Sequence, residues 1–247
     1  MLDISIISGL VAMFSWGIAD FIQSKVVRQM GSYKTMYIGN IVWIIFVLPF
    51  AFFISLKISI TNLILLFVGS VMQVFAIYNF YQSMKIGEVS IVTPISGSYS
   101  IITVLMLLLL LGQKLNLMTI SAIFILIIGI ILTSTDLKKI KHIHTVKGVK
   151  EAVIALLMWG SYFFFVEVVA KDITFFLHFP ATDGLTVFFY SGVFSIIYGL
   201  ILSESFVFTS HDILMGFFLG VPQLAFGFIC ITIGSRSIPS TTIGLLM

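Results

Sequence analysis

At 247 residues the chain is long enough for one or two domains, yet 60% of it is hydrophobic and only 9% is charged. Soluble globular proteins carry about 25% charged residues, and a mean hydropathy of +1.18 could be kept in water only by exposing large apolar patches. Soluble, disordered and nucleic-acid-binding proteins are thereby excluded, and the net charge of +3 matters only through where it sits. The one cysteine, Cys230, forms neither an intramolecular disulfide nor a thiolate metal cluster. His142, His144, His178 and His211 lie at segment ends or in connections, outside any metal-ligand spacing.

A helix needs about 20 apolar residues to cross a hydrocarbon core. In chain order the sequence offers eight such runs: 4–24, 33–55, 60–83, 89–111, 116–134, 149–169, 184–203 and 211–233. Runs such as IITVLMLLLLLG are apolar at consecutive positions, which excludes the alternating pattern of a membrane barrel. The first run lacks a basic leader and a small-residue cleavage site, so it reads as a retained span. The expected fold class is therefore an all-α integral membrane protein, whose obligatory partner is the lipid bilayer.

Between the fifth and sixth runs lies a basic linker. Residues 136–150 carry five lysines and two histidines, the composition of a solvated loop. Alternating the spans across the membrane puts nine Lys and Arg residues on the side of this linker and four on the other. By the positive-inside rule the linker is cytoplasmic and the N-terminus outside.

The chain also carries an internal repeat. At an offset of 143 residues, Ala12, Trp16, Gly17, Phe21 and Val26 match Ala155, Trp159, Gly160, Phe164 and Val169. At an offset of 151, Phe67, Gly69, Phe75, Lys85 and Ser90 fall on Phe218, Gly220, Phe226, Arg236 and Thr241. A unit of five spans, being odd, inserts its second copy upside down, the inverted repeat common in transporters. The expected organisation is a first five-helix unit at 1–135, a basic linker at 136–148 and a second unit at 149–247 that stops after the start of its fourth helix. The second copy runs about 40 residues short of the first, enough for two helices, so eight to nine spans are expected here of a total of ten.

The stretch SMKIGEVSIVTPISGSYSIITVLMLLLLLGQKLNLMTISAIFILIIGIIL, residues 83–132, resembles the end of a repeat unit in the drug/metabolite transporter (DMT) superfamily, EamA type. Pro94, Gly112 and Gly129 stand where that pattern has them, Gln113 replaces its usual Glu, and the Trp-Gly pairs of spans one and six resemble its first-helix signature. The resemblance implies ten helices in two inverted halves around a central cavity. It also implies secondary transport of a small metabolite, commonly export, without a bound cofactor. Both termini would then be cytoplasmic, the opposite of the lysine count.

Polar groups within apolar spans are the candidates for function, because a carboxylate at the bilayer centre costs about 2.5–3.5 kcal/mol on insertion scales. Asp20 follows Trp16 by four residues, and Glu167 follows Trp159 by eight, through Phe163 at the fourth. Each acid thus shares a helix face with its tryptophan. The pair is expected to take up protons or to hold a cationic substrate group. The structural alternative pairs Asp20 with Lys25 and Glu167 with Lys171. Gln73, Tyr78 and Asn79 of span three, Asn40 of span two, Tyr99 of span four and Gln223 of span eight are candidates either for lining a wet cavity or for bonding between helices. Trp16 and Trp159 are suited to stacking on a ligand and equally to packing beside their glycines. Pro49, Pro94 and Pro222 are expected to kink or unwind their helices.

Together these features predict a multi-pass transporter of the cell membrane that moves a small organic metabolite by alternating access, with proton-coupled export as the working form and no enzymatic activity. The alternatives are a non-transporting membrane scaffold or lipid carrier and, less favoured, an intramembrane enzyme. No mid-span histidine, paired-aspartate signature or nucleophile beside a base supports the enzyme.

Overall fold

The structure, a computed structural model, describes residues 4–48, 58–112, 117–134, 147–170, 184–202 and 209–220. Among these the chain forms nine helical segments and no strand: α1 (Ile4–Met30), α2 (Ser32–Val47), α3 (Ile60–Ile86), α4 (Val89–Gly97), α5 (Tyr99–Leu111), α6 (Leu117–Ser134), α7 (Val149–Ala170), α8 (Gly184–Leu202) and α9 (Ser210–Gly220). Four stretches of the described residues are long and apolar enough to cross a membrane: Leu10–Met30, Ile60–Ile86, Val89–Leu111 and Val149–Val169. The last residues of the second and eighth expected spans, most of the basic linker, Pro49, Pro222, Gln223 and Lys171 lie outside the described residues.

The first helix outruns its apolar stretch, continuing to Met30 before Gly31 at φ 83° ends it. This extension carries Arg28 out to the end of α3, where its guanidinium donates to the carbonyls of Met84 (3.2 Å) and Gly87 (2.8 Å). Those carbonyls have no partner within their own helix, so the arginine both satisfies them and fixes α1 against α3. At the N-terminus of α3, Ser59 Oγ accepts from the Asn62 amide at 3.1 Å, an ordinary serine cap. Thr209 and Asp212 cap α9 reciprocally: the Thr209 amide donates to Asp212 Oδ2 at 2.8 Å and the Asp212 amide to Thr209 Oγ1 at 3.2 Å.

The fourth span is broken, but past its proline. Pro94 stays inside α4, although it can neither donate an amide nor clear the preceding turn; Ser98 (φ −76°, ψ 9°), four residues later, separates α4 from α5. Ser98 Oγ donates to the Pro94 carbonyl at 2.6 Å, meeting one of the groups the break frees. Tyr99 becomes the first residue of α5.

The centre of the bundle is α7, which packs along α3 and also against α5, α4 and α8. Close approach is set by glycines, as in other membrane bundles. A side chain at Gly69 of α3 would stand 3.2 Å from Phe165 Cβ, and one at Gly160 of α7 would collide with Ile102 of α5. Where α7 begins, Gly148 (φ 85°) lies so close to the end of α3 that a Cβ would sit 2.6 Å from the Ser83 carbonyl. The best-buried cluster gathers here, with Val27, Met36, Val74, Phe80, Met84, Val92 and Ala155 from five helices.

Candidate functional site

Gly160 lets α5 approach until Thr103 Oγ1 donates to its carbonyl at 2.9 Å. The approach brings Tyr99, at the break, over the centre of α7. Its ring stacks on Phe163 (centroids 4.7 Å apart, 14° between planes) and meets Trp159 edge-on at 5.9 Å. On its other side Trp159 packs against Phe80 of α3 at 4.9 Å. Trp159 is therefore an interhelical packing residue.

Asp20 lies on α1, which packs against α3. It is half-buried and within electrostatic range of the hydroxyls of both Tyr81 and Tyr99. One turn on, Gln23 Nε2 donates to the Tyr81 hydroxyl in a short contact, and that hydroxyl stands 3.8 Å from where a Cβ on Gly39 would lie. Lys25, offered by the sequence as a partner for Asp20, instead places its ammonium 4.4 Å from the centre of the Phe21 ring. Ser24, on the same face by spacing, turns its hydroxyl back to the Phe21 carbonyl at 2.8 Å.

A second polar group lies beyond Tyr99, whose hydroxyl is also within electrostatic range of Tyr162. Tyr162 shares a 2.6 Å hydrogen bond with Ser191 of α8, and Ser70 of α3 donates to the Ser191 carbonyl at 3.1 Å. Here α2, α3, α7 and α8 enclose a small cavity lined by Asn40, Gln73, Ile77, Tyr162, Ser191 and Ser195. About 40 Å³ of it is open to the centres of water molecules, against the ~10–15 Å³ that one water needs. Three buried polar atoms of this wall, Asn40 Nδ2, Gln73 Oε1 and Ser195 Oγ, have no hydrogen-bond partner among the described residues. Buried polar groups are normally satisfied, so the cavity is built to hold polar occupants.

The remaining candidates fall elsewhere. Glu167 is 2% exposed and lies eight residues beyond Trp159, about 12 Å along α7 at 1.5 Å per residue. Tyr78 packs against Tyr33 of α2 with centroids 4.5 Å apart and the rings tilted by 34°. Asn79 turns its amide back to the Phe75 carbonyl at 2.8 Å. Trp16 stays half-exposed, one turn before Asp20, and a side chain at its neighbour Gly17 would meet nothing within 4 Å. The structure thus brings Asn40 together with Gln73.

Gln23, Tyr162, Ser191 and Ser195 were not singled out by sequence as site residues. Two weak signals pointed to them: Tyr162 follows Trp159 by three residues, and Ser191 and Ser195 are spaced by four in an otherwise apolar span.

Apolar helices with their polar side chains turned toward one another define an α-helical, multi-pass integral membrane protein. The family comparison agrees with its form. The chain belongs to the EamA-like transporter family, whose model matches residues 3–135, and with it to the DMT superfamily. No curated protein matches it. A solved structure titled "Crystal structure of protein" is similar in fold, with a TM-score of 0.56 and 15% identity over 98% of this chain and 82% of that one. Members of the family are membrane transporters of the DMT type.

Proposed function

We propose that this protein is a secondary transporter of the cell membrane that moves a small organic metabolite by alternating access, with Asp20 taking up and releasing a proton that drives export. The observation that supports this reading is the run of polar groups through an apolar interior, from Asp20 past the hydroxyls of Tyr81 and Tyr99 to Tyr162 and the cavity. No described lysine or arginine forms an ion pair with Asp20. A carboxylate without a cation, next to neutral hydroxyls, changes charge when it exchanges a proton. The local electrostatics then differ between the two states, which is the differential interaction that a coupled conformational change needs. The resemblance of spans one and six extends the reading to two inverted five-helix units, with Glu167 as the acid of the second.

Flux in proteoliposomes tests the proposal. Under an imposed pH gradient, Asp20→Asn is expected to lower solute exchange at least tenfold and to flatten its pH dependence, with Glu167→Gln lowering it less. Unchanged rate and pH profile in both variants would overturn proton coupling through these acids. Absence of flux for a broad metabolite panel would overturn transport itself and favour a membrane scaffold.

A further inference from the structure

The small cavity between α2, α3, α7 and α8 has a chemistry more specific than polarity. Its three unpartnered atoms are a donor, Asn40 Nδ2, an acceptor, Gln73 Oε1, and the Ser195 hydroxyl, which can serve as either. The phenol of Tyr162 is already engaged with Ser191 at 2.6 Å. Among the described residues no Asp, Glu, Lys, Arg or His lines the space.

We propose that this cavity is a recognition site for a neutral head group that both donates and accepts, of the primary carboxamide class. A carboxamide oxygen accepts from Asn40 while its NH₂ donates to Gln73, and Ser195 takes the remaining hydrogen bond. Size agrees: about 40 Å³ admits roughly three waters at ~10–15 Å³ each, and the carboxamide group has three non-hydrogen atoms. The charged isosteres fail for stated reasons. A carboxylate has no hydrogen for Gln73 Oε1 and sets lone pair against lone pair; an ammonium has no acceptor for Asn40 Nδ2. Either would also enter a buried space without a countercharge, which is strongly disfavoured. In the absence of solute, waters occupy the same positions and are displaced by the head group. The assignment rests on the transporter reading only in making the occupant the transported solute.

Calorimetric titration of the purified full chain in detergent, with nicotinamide, nicotinate and 3-picolylamine as probes, tests the site. The three share a ring and differ in the head group: neutral donor–acceptor, anion and cation. Nicotinamide is expected to bind at least tenfold more tightly than the other two. Gln73→Leu should weaken nicotinamide about tenfold, the loss of one buried hydrogen bond. Asn40→Asp, nearly isosteric, replaces the donor by an acceptor and should reverse the preference toward 3-picolylamine. Thermal unfolding of each variant checks that it is folded. Equal binding of the three probes, or none by nicotinamide, overturns the proposal and leaves a cavity that holds water only. Flux measured on the same protein separates the two readings: transport without amide preference sinks this site alone, and amide binding without transport sinks the transporter reading alone.

Discussion

Helices α1 and α7 carry the same Trp-Gly pair in the same register, and the bundle treats them differently. On α7, Gly160 is a point of contact: Ile102 and the Tyr99 carbonyl occupy the space where its side chain would be. Around it Tyr99 stacks on Phe163 and meets Trp159 edge-on. On α1, a side chain at Gly17 would meet nothing within 4 Å among the described residues, and Phe14, Ile18 and Phe21 around it are 67%, 55% and 62% exposed. A small residue permits close approach without compelling it. Whether the approach happens depends on what the rest of the chain brings alongside, and α7 has α3 on one side and α5 on the other. The polar groups follow the same asymmetry. Asp20 of α1 is one turn from its Trp-Gly pair, whereas Glu167 sits about two turns away from that of its own helix.

The comparison can be broken most readily at the two glycines. Gly160→Ala places a Cβ against Ile102 and 2.9 Å from the Tyr99 carbonyl. Overpacking of this kind costs about 1–3 kcal/mol, and because a backbone atom stands in the way the upper end is expected in thermal unfolding of the purified protein. Equal stability of Gly160→Ala and wild type would remove α5 from the contact. Next in size is Tyr162→Phe, which leaves the buried Ser191 hydroxyl without its 2.6 Å partner and should cost about 1–2 kcal/mol. Gly17→Ala, by contrast, is expected within about 0.5 kcal/mol of wild type; a loss as large as that at Gly160 would mean that the two Trp-Gly pairs do the same job.

The smallest effect is expected where α2 meets α9, outside the four candidate spans. Lys34 Nζ and Asp212 Oδ2 are 2.7 Å apart. The hydrogen bond from Lys34, joined by those of Thr209, holds the Asp212 carboxyl at about 2, below the ordinary carboxylate range. A depressed folded value means that the stabilisation is complete above the unfolded pKa, near 3.9, and is lost as pH falls through the folded one. Asp212→Asn should therefore lower the unfolding temperature slightly at neutral pH and remove the corresponding loss between about pH 4 and pH 2. An unfolding temperature that falls over that interval equally in both proteins would detach this carboxylate from acid stability.

Much of the architecture was legible because hydropathy sums along a helix. Twenty consecutive apolar residues define a span whatever surrounds them. The partial legibility of the site has a different cause. Gln73 and Asn40 stood out as amides in apolar runs, but Ser191 and Ser195 did not, since a serine in a membrane helix normally satisfies itself on the preceding turn. Ser70 does so at 2.6 Å while also reaching Ser191. Lys25 near Asp20 in the sequence suggested an ion pair that the fold does not form; the helix directs the lysine over Phe21 instead.

By itself, then, the sequence determined that this chain crosses a membrane as helices and which family it resembles. These follow from transfer free energies and backbone restrictions that act locally. Only the tertiary structure decided that Asp20 answers to Tyr81 and Tyr99, that one Trp-Gly pair is clasped and the other open, and that Asn40, Gln73 and Ser195 share a single cavity. Those outcomes depend on which helices lie side by side, and in an environment as apolar as their own surfaces that choice rests on close packing and hydrogen bonds between residues distant in the chain.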